Sequence, residues 1–375
     1  MQCSNITKVY FKRFKDSDNR YPFILSLFYI RFFIRLHIFL FCVIIVFGEI
    51  SMQELLKTTQ AYRLLKTEGK EQGFSHAYLL LLNDTRNLKL ALKTFAKLFF
   101  DCDTPTTPQK QRISDLIDKE NFSDCLFFPQ DGKKLSVEDA EAIQEESTLN
   151  PVETDKKLFV LGDFADANPQ TQNKLLKLLE EPPKNIYFLL GASVAFPVLT
   201  TVLSRTKKLE IQPFSPDQIT SVLVTLYKDA SQKELHGCAV AANGSVGEAQ
   251  NMLDSGYYTE LIQSAFSLAL TTKQSLPALV KQIGETKRQR ELISFLRLIF
   301  RDALVLKTKV SEKPLLALEK ENLEKVALRF DEATLLYAQE AFSKAEKQLK
   351  FNAVFSQCIE LCMANILENN KGGNL

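Results

Sequence analysis

The segment from Lys156 to Gly191, KKLFVLGDFADANPQTQNKLLKLLEEPPKNIYFLLG, constrains the fold more than any other part of the chain. Leu158–Leu161 and Ile186–Leu190 are short apolar runs containing Val, Ile, Phe and Tyr, which suits strands covered on both faces of a sheet. Between them, Gln170–Glu181 places Leu175, Leu176, Leu178 and Leu179 on a helical stripe. Pro182 and Pro183 end that helix, because proline has no amide hydrogen to donate and its ring clashes with the preceding turn. The order strand, helix, strand predicts a βαβ unit in a parallel sheet, hence an α/β fold.

The pattern on either side extends this expectation. A helix over about Met52–Glu68 leads through Gly69 and Gly73 to a strand at His76–Leu82. After Pro213-Phe214-Ser215-Pro216 the pattern becomes helical from Asp217, with Ser215 as the cap and Ile219, Val222, Leu223 and Leu226 on one face. From about Ser255 to Glu368 there are no strand signals. Leu292, Phe295, Leu296, Ile299 and Phe300 form one stripe, and Leu335, Leu336, Phe342, Leu349, Val354, Ile359 and Leu361 contribute to others. The last residues, Asn369–Leu375, read as a frayed tail.

The charge balance argues against a dedicated DNA-binding chain and leaves room for a local basic patch. Seven of the 47 basic and three of the 45 acidic side chains lie in the first 51 residues, which leaves 40 against 42 in the rest. A dedicated DNA-binding chain would carry an excess of Lys and Arg for the phosphate backbone. Five cysteines after Met52 without a pairing pattern fit a reducing cytoplasm.

Residues 1–51 differ from the remainder, holding nine of the 28 phenylalanines and an apolar tract from Pro22 to Phe47 interrupted by Arg31, Arg35 and His37. Its longest stretch free of Lys and Arg on the C-terminal side, Leu36–Phe47, is too short to span a bilayer alone. Val46-Phe47-Gly48 is a poor signal-peptidase site. The composition resembles translated AT-rich non-coding DNA, and the expectation is a native start at Met52 with residues 1–51 a non-native extension. If that segment is real, the alternative is a membrane-anchored adaptor.

Asn173-Lys174-Leu175-Leu176-Lys177-Leu178-Leu179-Glu180-Glu181-Pro182-Pro183 resembles the NALLKTLEEPP segment of bacterial clamp-loader subunits. Three further segments match in register: Ser75-His76-Ala77-Tyr78-Leu79, Asp131-Gly132-Lys133-Lys134-Leu135 before an acidic helix, and Ser204-Arg205-Thr206. Over roughly residues 52–370 the chain is similar to the AAA+ clamp-loader family of DNA polymerase III, and to its delta-prime class in particular. The resemblance implies an AAA+-type α/β domain over 52–212, a small helical lid domain over 213–254 and a helical collar domain over 255–370. It also implies tau/gamma and delta subunits as partners, with the sliding clamp and primed DNA reached through the complex, and no membrane. A DNA polymerase label would belong to the whole complex.

ATP-hydrolysing relatives carry three glycines, a lysine and a threonine after the first strand, because backbone N–H groups wrap the phosphates there. Aligned on Phe95-Ala96-Lys97, this chain has Leu82, Thr85 and Asn87 at the glycine positions, Leu88 for the lysine and Lys89 for the threonine. Arg86 and Lys89 read as solvated surface cations, and Asp84 repels phosphate. Gly162 and Asp163 replace the Mg²⁺-binding aspartate and the water-activating glutamate, Asp163 reading as a surface acid at the strand end. Gly247 and Glu248 stand where active relatives carry a nucleotide-sensing arginine. Cys102 fits the first position of the family's four-cysteine zinc module, but Asp103–Asp118 contains no further cysteine, so no structural zinc is expected. Cys358 and Cys362, one helical turn apart, read as reduced residues on a packed helix face. The expectation is a subunit that binds no nucleotide, cofactor or metal.

The resemblance assigns Arg205, within Ser204-Arg205-Thr206, the part of a finger that enters a neighbour's ATP site. Guanidinium suits the task because it is always charged and offers a planar fork of donors. The plainer reading is a surface arginine paired with a carboxylate. An ATP-hydrolysing subunit of the tau/gamma type is the alternative function, against which the loop Leu82–Lys89 stands.

Overall fold

Five strands, β1 (Ala77–Leu81), β2 (Cys125–Phe128), β3 (Lys157–Asp163), β4 (Ile186–Ala192) and β5 (Lys207–Glu210), form a wholly parallel sheet in the order β2-β3-β4-β1-β5. The computed structural model describes residues 50–71, 73–104, 106–130, 134–284, 288–308, 314–316, 319–350 and 353–370. The apolar tract before Ile50 and the residues Asp131, Gly132 and Lys133 lie outside the described residues.

The strands alternate side chains between two buried faces, as a period of two requires. Tyr78, Leu80, Leu158, Val160 and Leu189 face a core shared with α1 (Met52–Lys57), α2 (Gln60–Glu71), α3 (Thr85–Phe99) and α4 (Pro108–Asp118). Leu79, Phe159, Leu161, Phe188 and Leu190 face a second core closed by α5 (Val137–Glu146), α6 (Pro169–Glu180) and α7 (Thr200–Leu203). The βαβ expectation is met: β3 and β4 pair in parallel, and α6 runs to Glu180 between them. Leu175 and Leu179 are its buried positions, with Leu176 and Leu178 packed partly against the same core.

The helix expected over Met52–Glu68 is two helices, broken at Thr58 and Thr59. Both hydroxyls donate to carbonyls one turn back, on Leu55 and Leu56, at 2.7 Å. Thr59 also accepts the N–H of Tyr62, so it opens the second helix; hydroxyl competition for backbone partners is the cause of the break. Ile50 and Ser51 are part of the fold. Ser51 forms a capping box with Glu54 at the start of α1, and the Ile50 carbonyl accepts from Thr225.

The helical groups follow: α8 (Pro216–Leu226), α9 (Gln232–Ala241), α10 (Val246–Asp254), α11 (Tyr258–Ala269), α12 (Leu276–Ile283), α13 (Gln289–Thr308), α14 (Lys320–Arg329), α15 (Glu332–Lys350) and α16 (Phe355–Asn369). Ser215 caps α8 in a capping box with Gln218. The α13 stripe Leu292, Phe295, Leu296, Ile299 and Phe300 is fully buried, with α11, α14 and α15 packed around it. Four expected stripe residues are instead exposed: Leu226, Leu336, Val354 and Leu361. Leu336 and Leu361 lie one and two residues from the buried Leu335 and Ile359, roughly 100° and 200° around a helix, so they cannot share that face. Val354 is the N-cap of α16 and Leu226 the last residue of α8, where the helix no longer directs a side chain inward.

Candidate functional site

β1 gives way to α3 through only Leu82, Asn83 and Asp84. Asp84 is the N-cap of α3, and its Oδ1 accepts the N–H of Asn87 at 3.0 Å. Its Oδ2 accepts the side-chain amide of Asn87 at 2.9 Å and the N–H of Gly247 at 2.7 Å. Gly247 is the second residue of α10, so the positive ends of two helices meet on one carboxylate that is 4% exposed. An anion at a helix N-terminus is how such a fold holds phosphate. Here the chain supplies the anion itself.

Neighbouring contacts bind α10 to the same loop. The Asn87 amide donates to Gln250 at 3.0 Å, and Arg86 donates to Asn251 at 3.0 Å and to Asp254 at 2.5 Å. Hydrogen bonds from Tyr227 and Arg86 hold the Asp254 carboxyl below its usual range. Arg86, expected to be solvated, is thus an anchor between elements. Lys89 pairs with Glu120 at 2.8 Å on the exposed side of α3, and Leu88, at the lysine position, is buried in the core.

Gly247 stands here because nothing larger fits. A Cβ at that position would collide with Asp84 Oδ1 and come within 2.8 Å of Arg86 Cβ. The next residue, Glu248, is held above the usual carboxylate range by burial and then by the negative charges of Glu291 and Asp84, against which Arg288 acts. Asp163 is half-buried rather than a free surface acid, accepting from Ala165 N at 3.3 Å and Ser193 N at 3.2 Å, which ties the end of β3 to that of β4. A cleft of about 230 Å³ opens beside these strand ends, lined among others by Leu82, Asn83, Ser193, Gln212 and Asn243. Lys208 on its rim is paired with Glu210 at 2.7 Å. The cleft is smaller than the roughly 300–1,000 Å³ of ordinary ligand sites.

Cys102 does not present a metal ligand. Its Sγ donates to the Lys97 carbonyl at 3.4 Å, and burial pushes the thiol up to about 12. Among the described residues no group of three or more His, Cys, Asp and Glu is placed to hold a metal ion. Cys362 is buried as expected, whereas Cys358 is half-exposed. No described helix is long and apolar enough to cross a membrane.

Arg205 follows α7, its N–H donating to Val202 O at 3.0 Å. Its guanidinium is folded back. Nη1 donates to Thr201 O at 3.0 Å and to Ser204 Oγ at 3.3 Å, and Nη2 donates to Glu180 Oε1 at 2.8 Å. Nε is buried and has no partner among the described residues. Ser204 and Thr206 bond backward to Thr201 O and Val202 O, closing the end of α7. Gln172, buried in α6, fixes the other end of this segment by accepting the N–H of Leu199 at 2.9 Å. In the chain by itself, Arg205 is therefore a partly exposed arginine paired with a carboxylate.

Sequence reasoning missed Asp84 as a shared helix cap, Gln172 as a brace and Glu180 as the partner of Arg205. An aspartate directly before an amphipathic run is a legible N-cap signal. The other two depend on tertiary contacts.

Residues 57–215, which contain the loop after β1 and the Arg205 segment, match the family described as DNA polymerase III, delta subunit. Over this segment, less than half of the chain, the sequence is similar to that family. It is 30% identical over 164 residues to DNA polymerase III subunit delta' of Bacillus subtilis (strain 168), an overlap of 43% of this chain and 50% of that protein. It is 25% identical over 187 residues to DNA polymerase III subunit tau of Escherichia coli (strain K12), covering 48% and 29%. The chain spans half or less of the length of these two relatives. A gamma subunit-related protein of Thermotoga maritima, known as a crystal structure, aligns with 82% of this chain and 99% of its own at 16% identity and a TM-score of 0.36. The fold described above rests on strand order and register, not on that likeness.

Proposed function

We propose that the chain is the delta-prime member of a bacterial clamp loader: a ring subunit that takes up no ATP and presents Arg205 to ATP held by an adjacent tau/gamma-type subunit. The observation that carries this reading is the Asp84 carboxylate at the meeting point of α3 and α10. A phosphate charge 4 Å from that carboxylate is repelled by about 4 kcal/mol at an effective dielectric near 20, roughly a thousandfold in affinity. The adjacent Glu248 carboxyl is itself held above its usual range, by burial first and then by the negative charges of Glu291 and Asp84.

In this reading residues 52–212 form the AAA+-like domain, 213–254 the lid and 255–370 the collar through which the ring assembles. The delta subunit and the tau/gamma subunits are its partners, and the sliding clamp and primed DNA are reached through the complex. The chain contributes structure and one cation rather than an active site of its own. Arg205 would neutralise charge developing on the transferring phosphoryl group, the step at which arginine fingers contribute about 10³–10⁵ in rate.

Two measurements on purified protein test the reading. ATP titrated into the isolated chain should give no binding; saturable binding in the micromolar range would return the chain to the ATP-hydrolysing tau/gamma class. In the reconstituted complex, Arg205→Ala should lower DNA- and clamp-stimulated ATP hydrolysis, and an unchanged rate would rule out the finger.

A further inference from the structure

Arg205 sits in a state that its surroundings do not fully satisfy. Its Nε is buried and has no partner among the described residues, so a donor is left unsatisfied. Its counterion is equally out of place. Glu180 is the last residue of α6 and Glu181 the cap, so two carboxylates stand at the negative end of that helix, where cations are favoured. Local rules are thus broken on both sides of one contact. The pair is also open to water, with Arg205 31% and Glu180 55% exposed.

We infer that Glu180 is a placeholder anion: in the unassembled chain it occupies the edge of the Arg205 fork that a phosphate takes in the assembled ring. This inference rests on the finger reading of Arg205 and names the residue that regulates it. Thr201 O and Ser204 Oγ hold Nη1 and keep the guanidinium anchored to the end of α7. The Glu180 contact through Nη2 is the exchangeable one, because it is the bond to a charged and exposed partner. An incoming phosphate must displace that carboxylate, and its remaining negative charge then weighs against the phosphate. Asp84 does the same at the chain's own helix N-terminus, where burial makes the exchange impossible.

The test uses the reconstituted complex with Glu180→Gln, Arg205→Ala and the double variant. An exposed pair is worth about 0–1 kcal/mol, or up to about fivefold. Glu180→Gln should therefore lower the KM for ATP two- to fivefold at low salt, and the difference should shrink at high salt as the competing charge is screened. Adding Glu180→Gln to Arg205→Ala should change nothing further, and thermal unfolding of the isolated chain checks that the variants fold. If Arg205→Ala lowers the rate but Glu180→Gln raises KM or leaves it unchanged at low salt, the placeholder role is overturned while the finger stands. If Arg205→Ala itself has no effect, the finger reading fails first.

Discussion

Replacing Asp84 with alanine should loosen the join between the sheet and the helices that follow it. The substitution removes the N-cap of α3, a loss of about 0.5–2 kcal/mol. It also strands the N–H of Gly247 and one hydrogen of the Asn87 amide in a buried site, at about 1–3 kcal/mol each. Asn87 keeps its bond to Gln250, and water entering the space left by the carboxylate recovers part of the loss. The expected destabilisation is about 2–5 kcal/mol, against the 5–15 kcal/mol total of an ordinary domain. Asp84→Asn preserves shape but, whichever way its amide turns, points an NH₂ group at the backbone N–H of Asn87 or of Gly247, so a loss is again expected from donor facing donor. Urea unfolding gives the free energies, and amide exchange at Gly247 reports the local opening, which should accelerate in both variants. Lys89→Ala, removing an exposed pair with Glu120, is the control and should change stability by about 0–1 kcal/mol. If both Asp84 variants fall within the range of that control, the shared cap does not hold the two elements together.

Three further outcomes are expected. Gly247→Ala drives a methyl into Asp84 and Arg86 and should cost about 1–3 kcal/mol by overpacking, with a less than additive effect in the Asp84→Ala background; full additivity in urea unfolding would contradict the contact. Burial alone would raise the Asp103 carboxyl, but the Lys66 ammonium at 2.6 Å and the Tyr62 hydroxyl at 3.1 Å bring it below its usual value. Its stabilisation is therefore complete above the unfolded value near 3.9 and lost as pH falls through the lower folded value, so Asp103→Asn should flatten the acid limb of stability against pH. Burial raises the thiols of Cys102, Cys238 and Cys362 to about 12 and that of Cys125 well above its ordinary value, so half-exposed Cys358 should react first with a thiol reagent among the five described cysteines; modification of a second of them before unfolding would refute this.

Strands β1, β3 and β4 were legible because each carries a continuous apolar run, and α6 because two prolines close it, whereas β5 reads KKLE and carries no such signal. The break at Thr58-Thr59 was not, since threonine disrupts a helix only where its hydroxyl finds a better backbone partner. Leu336 and Leu361 were misplaced for a related reason. Apolar character places a residue in a helix, but the face it occupies depends on which side the neighbouring helix covers.

At the candidate site the division is sharper. The sequence alone establishes which residue types stand at each position: Leu82, Thr85, Asn87, Leu88 and Lys89 after β1, Gly162 and Asp163 at the end of β3, and Gly247 and Glu248 at the start of α10. Residue types can be read along one line of the chain. The partners those residues meet are decided between lines. Asp84 and Gly247 are 163 residues apart, and only the fold brings the starts of α3 and α10 to a single carboxylate. Arg205 and Glu180 are 25 residues apart and meet because α6 ends where α7 begins its descent to β5. Charge and residue type are properties of the chain, whereas the partner that satisfies a buried charge is a property of tertiary packing.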